Sequence, residues 1–278
     1  MVRVDLRKTL QTRPIKCEFG MVGVSEAEGS ACYSQGKSKV IVTVQGPSQP
    51  KYSRHEEFDT ATIDIDVSFS TILATATSQR LDTRDMDPST TCSKKLSAFL
   101  RKSLLGCLCL RNYPRMLICL RVVVVCDQGS LYSVALNACV FALLDAGLLM
   151  TYTPNSVTFC VTRGLELYLD PSMEEEAVSI ARMIFTINPK MSTIIASEFS
   201  YNFSNNDSVV DSMGNVTMSN NSVAVSQGDV FQKDFIANAI HNAFNASIAI
   251  DTHMRSELQS KLGFSDEIEV DSGHLSKK

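Results

Sequence analysis

The sequence predicts an α+β domain in which helices pack on mixed sheets. Three observations support this class: several short strand-like segments near the start, a long apolar strand followed at once by an apolar helix, and helical periodicity near the end. The chain has 278 residues, of which 44% are hydrophobic and 20% charged, so it can bury a sizeable core. This composition excludes a disordered or fibrous protein, and we expect one or two globular domains.

The first part of the chain is predicted to consist of strands. Short apolar or alternating segments are separated there by glycines. The predicted strands are residues 15–24, 29–34, 39–44 and 61–67. The last one alternates strictly between apolar and polar residues, as a strand with one covered face does.

A helix, a strand and a second helix follow. Apolar residues recur at helical spacing over residues 89–110, which predicts an amphipathic helix. Residues 116–126 contain four consecutive valines and predict a buried central strand. Asp127 or Ser130, in the next turn, can cap the helix predicted over residues 131–146.

The last third of the chain predicts two hairpins and a long helix. The hairpins cover residues 157–169 and 182–199, and the helix covers residues 229–262. Residues 197–226 are rich in Ser and Asn, a composition that predicts a low-complexity insertion outside the core.

These elements predict one principal domain. It spans residues 13–264 and includes the insertion at about 197–226. An amino-terminal arm, residues 1–12, precedes the domain, and a polar tail, residues 265–278, follows it.

Composition also narrows the classes of function. Lys and Arg number 26 against 30 Asp and Glu, so any contact with nucleic acid must be local or shared with partners. The first residues do not form a secretory signal, and the longest apolar run is too short to span a bilayer, so we expect an intracellular protein that contacts no membrane.

The nine cysteines are expected to be reduced. Most of them lie inside apolar stretches, as small core residues do. These are Cys107, Cys109, Cys119, Cys126, Cys139 and Cys160. No zinc-type pairing, Gly-rich nucleotide loop or nucleophile elbow is visible, so we expect no cofactor.

Short segments of the chain occur in the order in which the ribonuclease PH family has them. They are residues 13–20, 28–31, 35–36, 44–47, 58–62, 113–115, 129–147 and 169–176. The chain resembles that family from about residue 13 to residue 263. Within the family, it resembles the ring subunits of the eukaryotic RNA exosome. The resemblance implies a ribonuclease PH-like domain with mixed sheets and packed helices, a ribosomal protein S5 domain 2-like fold.

The resemblance also implies where a phosphorolytic site would lie, and the sequence departs from the family there. Leu131 stands where active members have an Arg that binds phosphate, although the backbone donors and the Ser130 hydroxyl are expected to remain. Glu176 and Arg182 stand where active members have two aspartates, and an Arg there repels the metal that the reaction needs. We therefore expect no catalytic residue and no metal. Two ordinary interpretations stay open: Ser130 caps a helix, and Glu176 belongs to a solvated acidic face.

A local basic surface is expected near the first helix. Active members have an Arg pair at the start of this helix, and Thr91 and Cys92 stand at the matching positions. The nearby basic residues that could touch an RNA backbone are Arg80, Arg84, Lys94, Lys95, Arg101 and Lys102. The alternative is a plain solvated helix face.

The expected function is that of a catalytically inert structural subunit of the exosome ring. Such a subunit supports 3′-to-5′ processing and degradation of RNA, including rRNA maturation and mRNA turnover, and helps to channel RNA. The implied partners are other ribonuclease PH-like subunits in a six-membered ring, an S1/KH cap subunit and RNA. The implied locations are the nucleus, the nucleolus and the cytoplasm.

Two alternatives remain from other classes. The first is an active phosphate-dependent 3′-to-5′ exoribonuclease with a shifted site, against which Leu131 and Arg182 argue. The second is an isolated RNA-binding module, which the acidic balance and the lack of aromatic stacking motifs disfavour.

Overall fold

The computed structural model describes residues 3, 5–20, 27–50, 56–70, 88–162, 164–201, 208–210, 216–218 and 233–262. Within them the strands are β1 (Ile15–Phe19), β2 (Gly29–Gln35), β3 (Ser38–Ser48), β4 (Thr62–Phe69), β5 (Leu117–Cys126), β6 (Asn155–Val161), β7 (Leu167–Leu169), β8 (Ala181–Asn188), β9 (Thr193–Tyr201), β10 (Ser208–Val210) and β11 (Val216–Met218). The helices are α1 (Pro88–Leu105), α2 (Leu131–Asp145), α3 (Met173–Val178) and α4 (Lys233–Leu262).

Two sheets enclose the core. The first has the order β1-β2-β3-β5-β4 and is mixed, because β4 runs parallel to β5 while the other pairs are antiparallel. The second has the order β7-β6-β8-β9 and is antiparallel throughout. Helix α1 packs on β4, and α4 packs on β6 and β8. The predicted α+β class with mixed sheets and packed helices is confirmed.

Helix α2 lies between the two sheets and contacts β2 and β3 on one side and β6 on the other. Every residue from Ser133 to Leu143 is buried, which explains why this helix is apolar on all sides. Its one buried amide, Asn137, accepts from the Ser156 N–H at 2.9 Å and donates to the Ser156 carbonyl at 3.1 Å. Helix α2 and the second sheet are therefore joined by specific hydrogen bonds as well as by apolar contacts.

The close contact between α2 and the first sheet requires a glycine. A Cβ atom on Gly29 would lie 2.5 Å from the backbone nitrogen of Ala146 and 2.6 Å from the carbonyl oxygen of Ala142. Next to it, the Ser30 N–H donates to the Asp145 carboxylate at 2.9 Å. The Gly-Ser pair at the start of β2 thus fits against the end of the helix.

Several element boundaries differ from the sequence prediction, for example β3, which is Ser38–Ser48 rather than residues 39–44. Strand β1 ends at Phe19, before Gly20 with φ +66°, rather than at residue 24, and residues 21–24 lie outside the described part. Helix α1 ends at Leu105 rather than at residue 110, because Gly106 interrupts it. The final helix begins at Lys233 within the described residues, whereas it was predicted from residue 229.

The run of valines predicted that β5 is buried, but only one of its two faces is. It lies inside the sheet between β3 and β4, but only alternate side chains face the core. Val122 and Val124 are fully buried, whereas Val123 and Val125 are 36% and 37% exposed. The predicted central position is therefore confirmed, whereas the predicted burial holds for only one face of the strand.

The cysteine prediction is confirmed in part. All nine cysteines are free, and Cys107, Cys139 and Cys160 are buried as expected. Cys119 and Cys126 are only half-buried, because they lie on or near the outer face of β5, and Cys109 is half-buried in the loop after α1. None of the described helices is long and apolar enough to cross a membrane.

The predicted insertion begins later than residue 197. Residues 197–201 belong to β9 and pair with β8, for example Phe199 with Met183, and the Phe199 ring meets the Phe185 ring edge-on at 5.8 Å. The hairpin predicted over residues 182–199 overlapped the predicted insertion, and the overlapping residues belong to the strand. Strands β10 and β11 pair with each other, and the rest of residues 202–226 and the tail 265–278 lie outside the described residues.

We predict that the two parts of this segment differ in their contribution to stability. Replacing residues 202–226 with a short Gly/Ser linker should leave the melting temperature nearly unchanged, because this composition buries little apolar surface. Replacing residues 197–226 should lower it by more than about 5 °C, because the end of β9 is removed. Thermal unfolding of both variants checks this, and equal melting temperatures would contradict it.

Candidate functional site

A buried ion pair anchors the turn that follows β5. The Arg13 guanidinium donates to both carboxylate oxygens of Asp170, at 2.6 and 2.9 Å, and the Arg13 N–H donates to the same carboxylate at 2.8 Å. The Arg13 and Asp170 side chains are 7% and 2% exposed. Burial alone would raise the pKa of Asp170, but the hydrogen bonds and charge of Arg13 lower it below its ordinary value.

Arg13 also holds the turn itself. It donates to the carbonyls of Gln128 at 2.8 Å and Gly129 at 3.1 Å. Gly129 has φ +99°, and a Cβ there would lie 2.4 Å from the Pro171 carbonyl oxygen. The turn after β5 is therefore pressed against the corner that follows β7, and only glycine fits between them.

Glu176 occupies the position at which this turn could bind an anion. Its carboxylate accepts from the Ser130 N–H at 2.7 Å, and the Ser130 hydroxyl donates to the Pro171 carbonyl at 3.1 Å. The expectation that these Ser130 donors remain available is therefore wrong, because the chain uses both. Ser130 does lie at the N-cap position of α2, as the cap interpretation expected, but it has φ +57° and its side chain makes no capping hydrogen bond. Glu176 is partly buried, so it does not belong to a solvated acidic face.

Arg182 faces the other side of the same carboxylate. Its guanidinium lies 3.6 Å from Glu176 and 5.1 Å from the centroid of the Tyr132 ring. Burial raises the pKa of Glu176, and Arg182 opposes this shift. The Glu176 carboxylate already accepts a hydrogen bond from the Ser130 N–H, and the Arg182 cation lies beside it. These residues therefore do not fit a divalent metal. Among the described residues no group of three potential ligands could hold a metal ion.

The short helix α3 brings Glu176 to the turn, and the amino-terminal arm holds this helix. Ser172 and Glu175 form a reciprocal capping box at its start. Arg3, which is 4% exposed, binds the Glu175 carboxylate through two hydrogen bonds of 2.8 and 2.9 Å. Sequence reasoning missed Arg3 and Arg13 as parts of the site, because their partners lie more than 150 residues away.

The remaining predicted residues surround this network. Leu131 is half-buried and packs against the core, so it provides no charge at the turn. Phe99 of α1 contacts the Tyr132 ring with centroids 5.3 Å apart, which places the helix beside the site.

The basic residues of α1 share one face. Lys94, Lys95 and Lys102 are exposed, and Arg101 next to them donates to the Ile63 carbonyl of β4. Arg80 and Arg84 lie outside the described residues.

Comparison with known proteins identifies the family. Residues 11–148 match the model of the 3′ exoribonuclease family, domain 1, which is the ribonuclease PH family. A relative in Arabidopsis thaliana, described as an exosome complex component RRP41-like protein, is 30% identical over 188 residues, which is 67% of this chain and 68% of the relative. The chain belongs to the ribonuclease PH family.

The fold agrees with this assignment, because chains of two solved structures superpose on most of this chain. Rice Rrp46 covers 92% of this chain and all of its own, with a TM-score of 0.69 and 22% identity. A chain of an archaeal exosome core gives a TM-score of 0.65 with 91% of each chain covered and 16% identity.

A further relative, the exosome complex component RRP46 homologue of Caenorhabditis elegans, is 28% identical over 63% of this chain and 72% of its own. The resemblance seen in the sequence, including that to the ribosomal RNA-processing protein 46 type, is confirmed.

We predict that Gly129→Ala is strongly destabilising. A side chain at this positive φ costs about 1–3 kcal/mol, and the contact with the Pro171 carbonyl adds to the cost. Gly147→Ala is the matched control, because Gly147 also has a positive φ, +67°, but no atom lies within 4 Å of the added Cβ. We therefore expect it to lower the free energy of unfolding by only about 1–2 kcal/mol. Urea unfolding measures both, and equal losses would show that the turn is not pressed against its neighbour.

We predict a pH-dependent loss of stability for Asp170→Asn. Removing the charge leaves Arg13 buried and unpaired, at a cost of about 3–5 kcal/mol at neutral pH. Because the folded pKa of Asp170 is lowered, this stabilisation is complete above the ordinary pKa of about 3.9 and disappears as the pH falls through the folded value.

Urea unfolding at about pH 7 and about pH 3 tests this dependence. The difference between the wild-type chain and Asp170→Asn should shrink at the lower pH. Glu56→Gln, which alters an exposed pair with Arg115, should cost less than about 1 kcal/mol at either pH. An equal loss for Asp170→Asn at both pH values would contradict the account.

Proposed function

We propose that this protein is a catalytically inert subunit of an RNA exosome ring. In this role it pairs with another ribonuclease PH-like subunit, joins neighbouring pairs in a six-membered ring below an S1/KH cap subunit, and supports 3′-to-5′ RNA processing in the nucleus, the nucleolus and the cytoplasm. The relatives named as exosome components support the role in a complex. The observation that supports the proposed lack of catalytic activity is the hydrogen bond from the Ser130 N–H to the Glu176 carboxylate.

Phosphorolysis needs donors and positive charge where inorganic phosphate binds, and a group that acts at the scissile phosphate. The Ser130 donors bind groups of the chain itself, and Leu131 supplies no charge. Arg182 lies 3.6 Å from the Glu176 carboxylate, so it places a cation where active members have a second carboxylate. An incoming phosphate would have to displace the Glu176 carboxylate from the Ser130 N–H.

The sheets support the assembly part of the proposal. Among the described residues, β9 is an edge of the second sheet over nine residues, and Ile194 and Phe199 on it are 39% and 40% exposed. A long edge with apolar side chains favours pairing with another chain. The exposed basic face of α1, with Lys94, Lys95 and Lys102, supports a contact with passing RNA backbone.

Co-expression tests the assembly. Produced alone, the chain should self-associate, whereas co-expression with the ribonuclease PH-like subunits of the same organism should give a stable 1:1 complex with one of them, seen by size-exclusion chromatography with light scattering. A well-behaved monomer that binds none of these subunits would show that the ring assignment is wrong.

We predict that the purified chain does not shorten single-stranded RNA in the presence of phosphate and Mg²⁺, because Glu176 already binds the Ser130 N–H and Leu131 stands in place of the phosphate-binding Arg. Release of nucleoside diphosphates, resolved by chromatography, should equal the background of a Glu176→Gln control. Release that disappears in that control would favour the alternative of an active phosphate-dependent exoribonuclease.

A further inference from the structure

The amino-terminal arm inserts one arginine into the body of the domain. The Arg3 side chain is 1% exposed, and it binds both oxygens of the Glu175 carboxylate at 2.8 and 2.9 Å. It also donates to the carbonyls of Leu169 at 3.0 Å and Asp170 at 3.1 Å, and to the Lys8 carbonyl of the arm itself at 3.1 Å. Each of the three guanidinium nitrogens therefore donates a hydrogen bond, and the arm is fixed to the corner after β7.

Helix α3, which carries Glu175, has no apolar anchor of its own. It has six residues, none of its apolar side chains is buried, and Val178 at its end is 61% exposed. A helix this short is not stable by itself. Its position therefore depends on polar contacts, which include the capping box, the bond from the Met173 N–H to the Gln128 carbonyl at 3.1 Å, and the bonds from Arg3.

Two neighbouring carboxylates of α3 connect the arm to the candidate site. Glu175 binds Arg3, whereas Glu176 accepts from the Ser130 N–H at 2.7 Å. The Glu175 side chain is only 7% exposed, so without Arg3 its charge would stay largely buried with no cation beside it. An outward movement of α3 relieves this cost by returning Glu175 to water. Because the same movement takes Glu176 away from Ser130, the contact at the turn is coupled to the arm.

The turn keeps groups that favour an anion once Glu176 has moved away. The Ser130 N–H lies at the start of α2, a helix of 15 residues whose amino-terminal end carries partial positive charge. The Arg182 guanidinium lies 3.6 Å from the present position of the Glu176 carboxylate. That carboxylate is itself an oxyanion bound by these groups, so inorganic phosphate would compete with it for the same donor and the same cation.

We propose that the arm is a latch on the candidate site: Arg3 holds α3 in place, so that Glu176 covers the Ser130 N–H, and release of Arg3 opens the turn to inorganic phosphate. Docking of the arm and binding of phosphate then exclude each other, and each weakens the other by the same factor. The latch rests on the proposed function, because it controls access to the site that the proposal describes as blocked. It adds no catalytic group, since Leu131 and Arg182 are unchanged by it.

Hydrogen exchange with mass spectrometry on the full chain tests the coupling. In Arg3→Ala, amide exchange over residues 172–178 and 128–132 should rise by at least about tenfold, since losing a hydrogen bond to a charged group shifts a local equilibrium by this factor. Residues 135–143 of α2 should keep the exchange of the wild-type chain, because they are buried in the core. Arg115→Ala is the matched control, because Arg115 pairs with Glu56 at the surface, and it should change none of these segments.

Calorimetric titration of inorganic phosphate into the same proteins tests the opening of the turn. Arg3→Ala should bind phosphate saturably at millimolar concentrations, whereas the wild-type chain and Arg115→Ala should not. Adding Arg182→Ala to Arg3→Ala should weaken this binding by at least about tenfold, which separates the turn from the space that the Arg3 side chain vacates. Arg3→Lys keeps the charge but not the two-pronged contact with the carboxylate, so it should give a smaller increase in exchange and weaker phosphate binding.

Several results would overturn the latch. One is unchanged exchange over residues 128–132 in a folded Arg3→Ala chain, and another is a uniform rise that includes residues 135–143. A local rise without phosphate binding, or binding that is insensitive to Arg182→Ala, would overturn it as well. If Arg3→Ala does not fold, Arg3→Lys decides, and a Lys variant that shows neither effect or does not fold excludes the latch.

Failure of the latch and failure of the proposed function give different results. Saturable phosphate binding by the wild-type chain would contradict the blocked site, and with it the reason given for the lack of catalytic activity. Absence of binding in both the wild-type chain and Arg3→Ala would leave the blocked site standing and exclude the latch alone.

Discussion

The buried pair of Arg13 and Asp170 is the interaction on which the arrangement of this domain depends. It joins the start of the chain to the corner after β7, and the same guanidinium binds the carbonyls of the turn after β5. Three segments that are far apart in sequence are thereby fixed around one charge pair. Since the pair is buried, loss of either partner leaves an uncompensated charge, and the whole corner is affected.

This fixed corner determines what the turn after β5 can do. Arg3 and the capping box hold helix α3 next to it, so the Glu176 carboxylate reaches the Ser130 N–H. Arg182 then lies beside this partly buried carboxylate and offsets its charge. The turn and the short helix are therefore present in the fold, but the Ser130 donors bind groups of the chain itself and the Glu176 carboxylate is paired with Arg182.

Sequence patterns predicted much of the fold because burial imposes periodicity. Helix α2 and the two hairpins followed from apolar spacing and turn residues alone. The outer face of β5 did not, because a run of valines does not reveal which sheet face a helix covers. The substitutions at Leu131 and Arg182 were visible in the sequence. The contact of Glu176 with Ser130 was not, since it depends on tertiary packing between residues 46 positions apart.

The central claim is that the chain's own carboxylate occupies the anion position of the turn. Titration of inorganic phosphate into the purified protein, followed by isothermal calorimetry, tests it most directly. The account predicts no saturable binding at millimolar phosphate. Saturable binding by the unmodified chain would contradict it, because phosphate would then reach a turn whose Ser130 donors are already used.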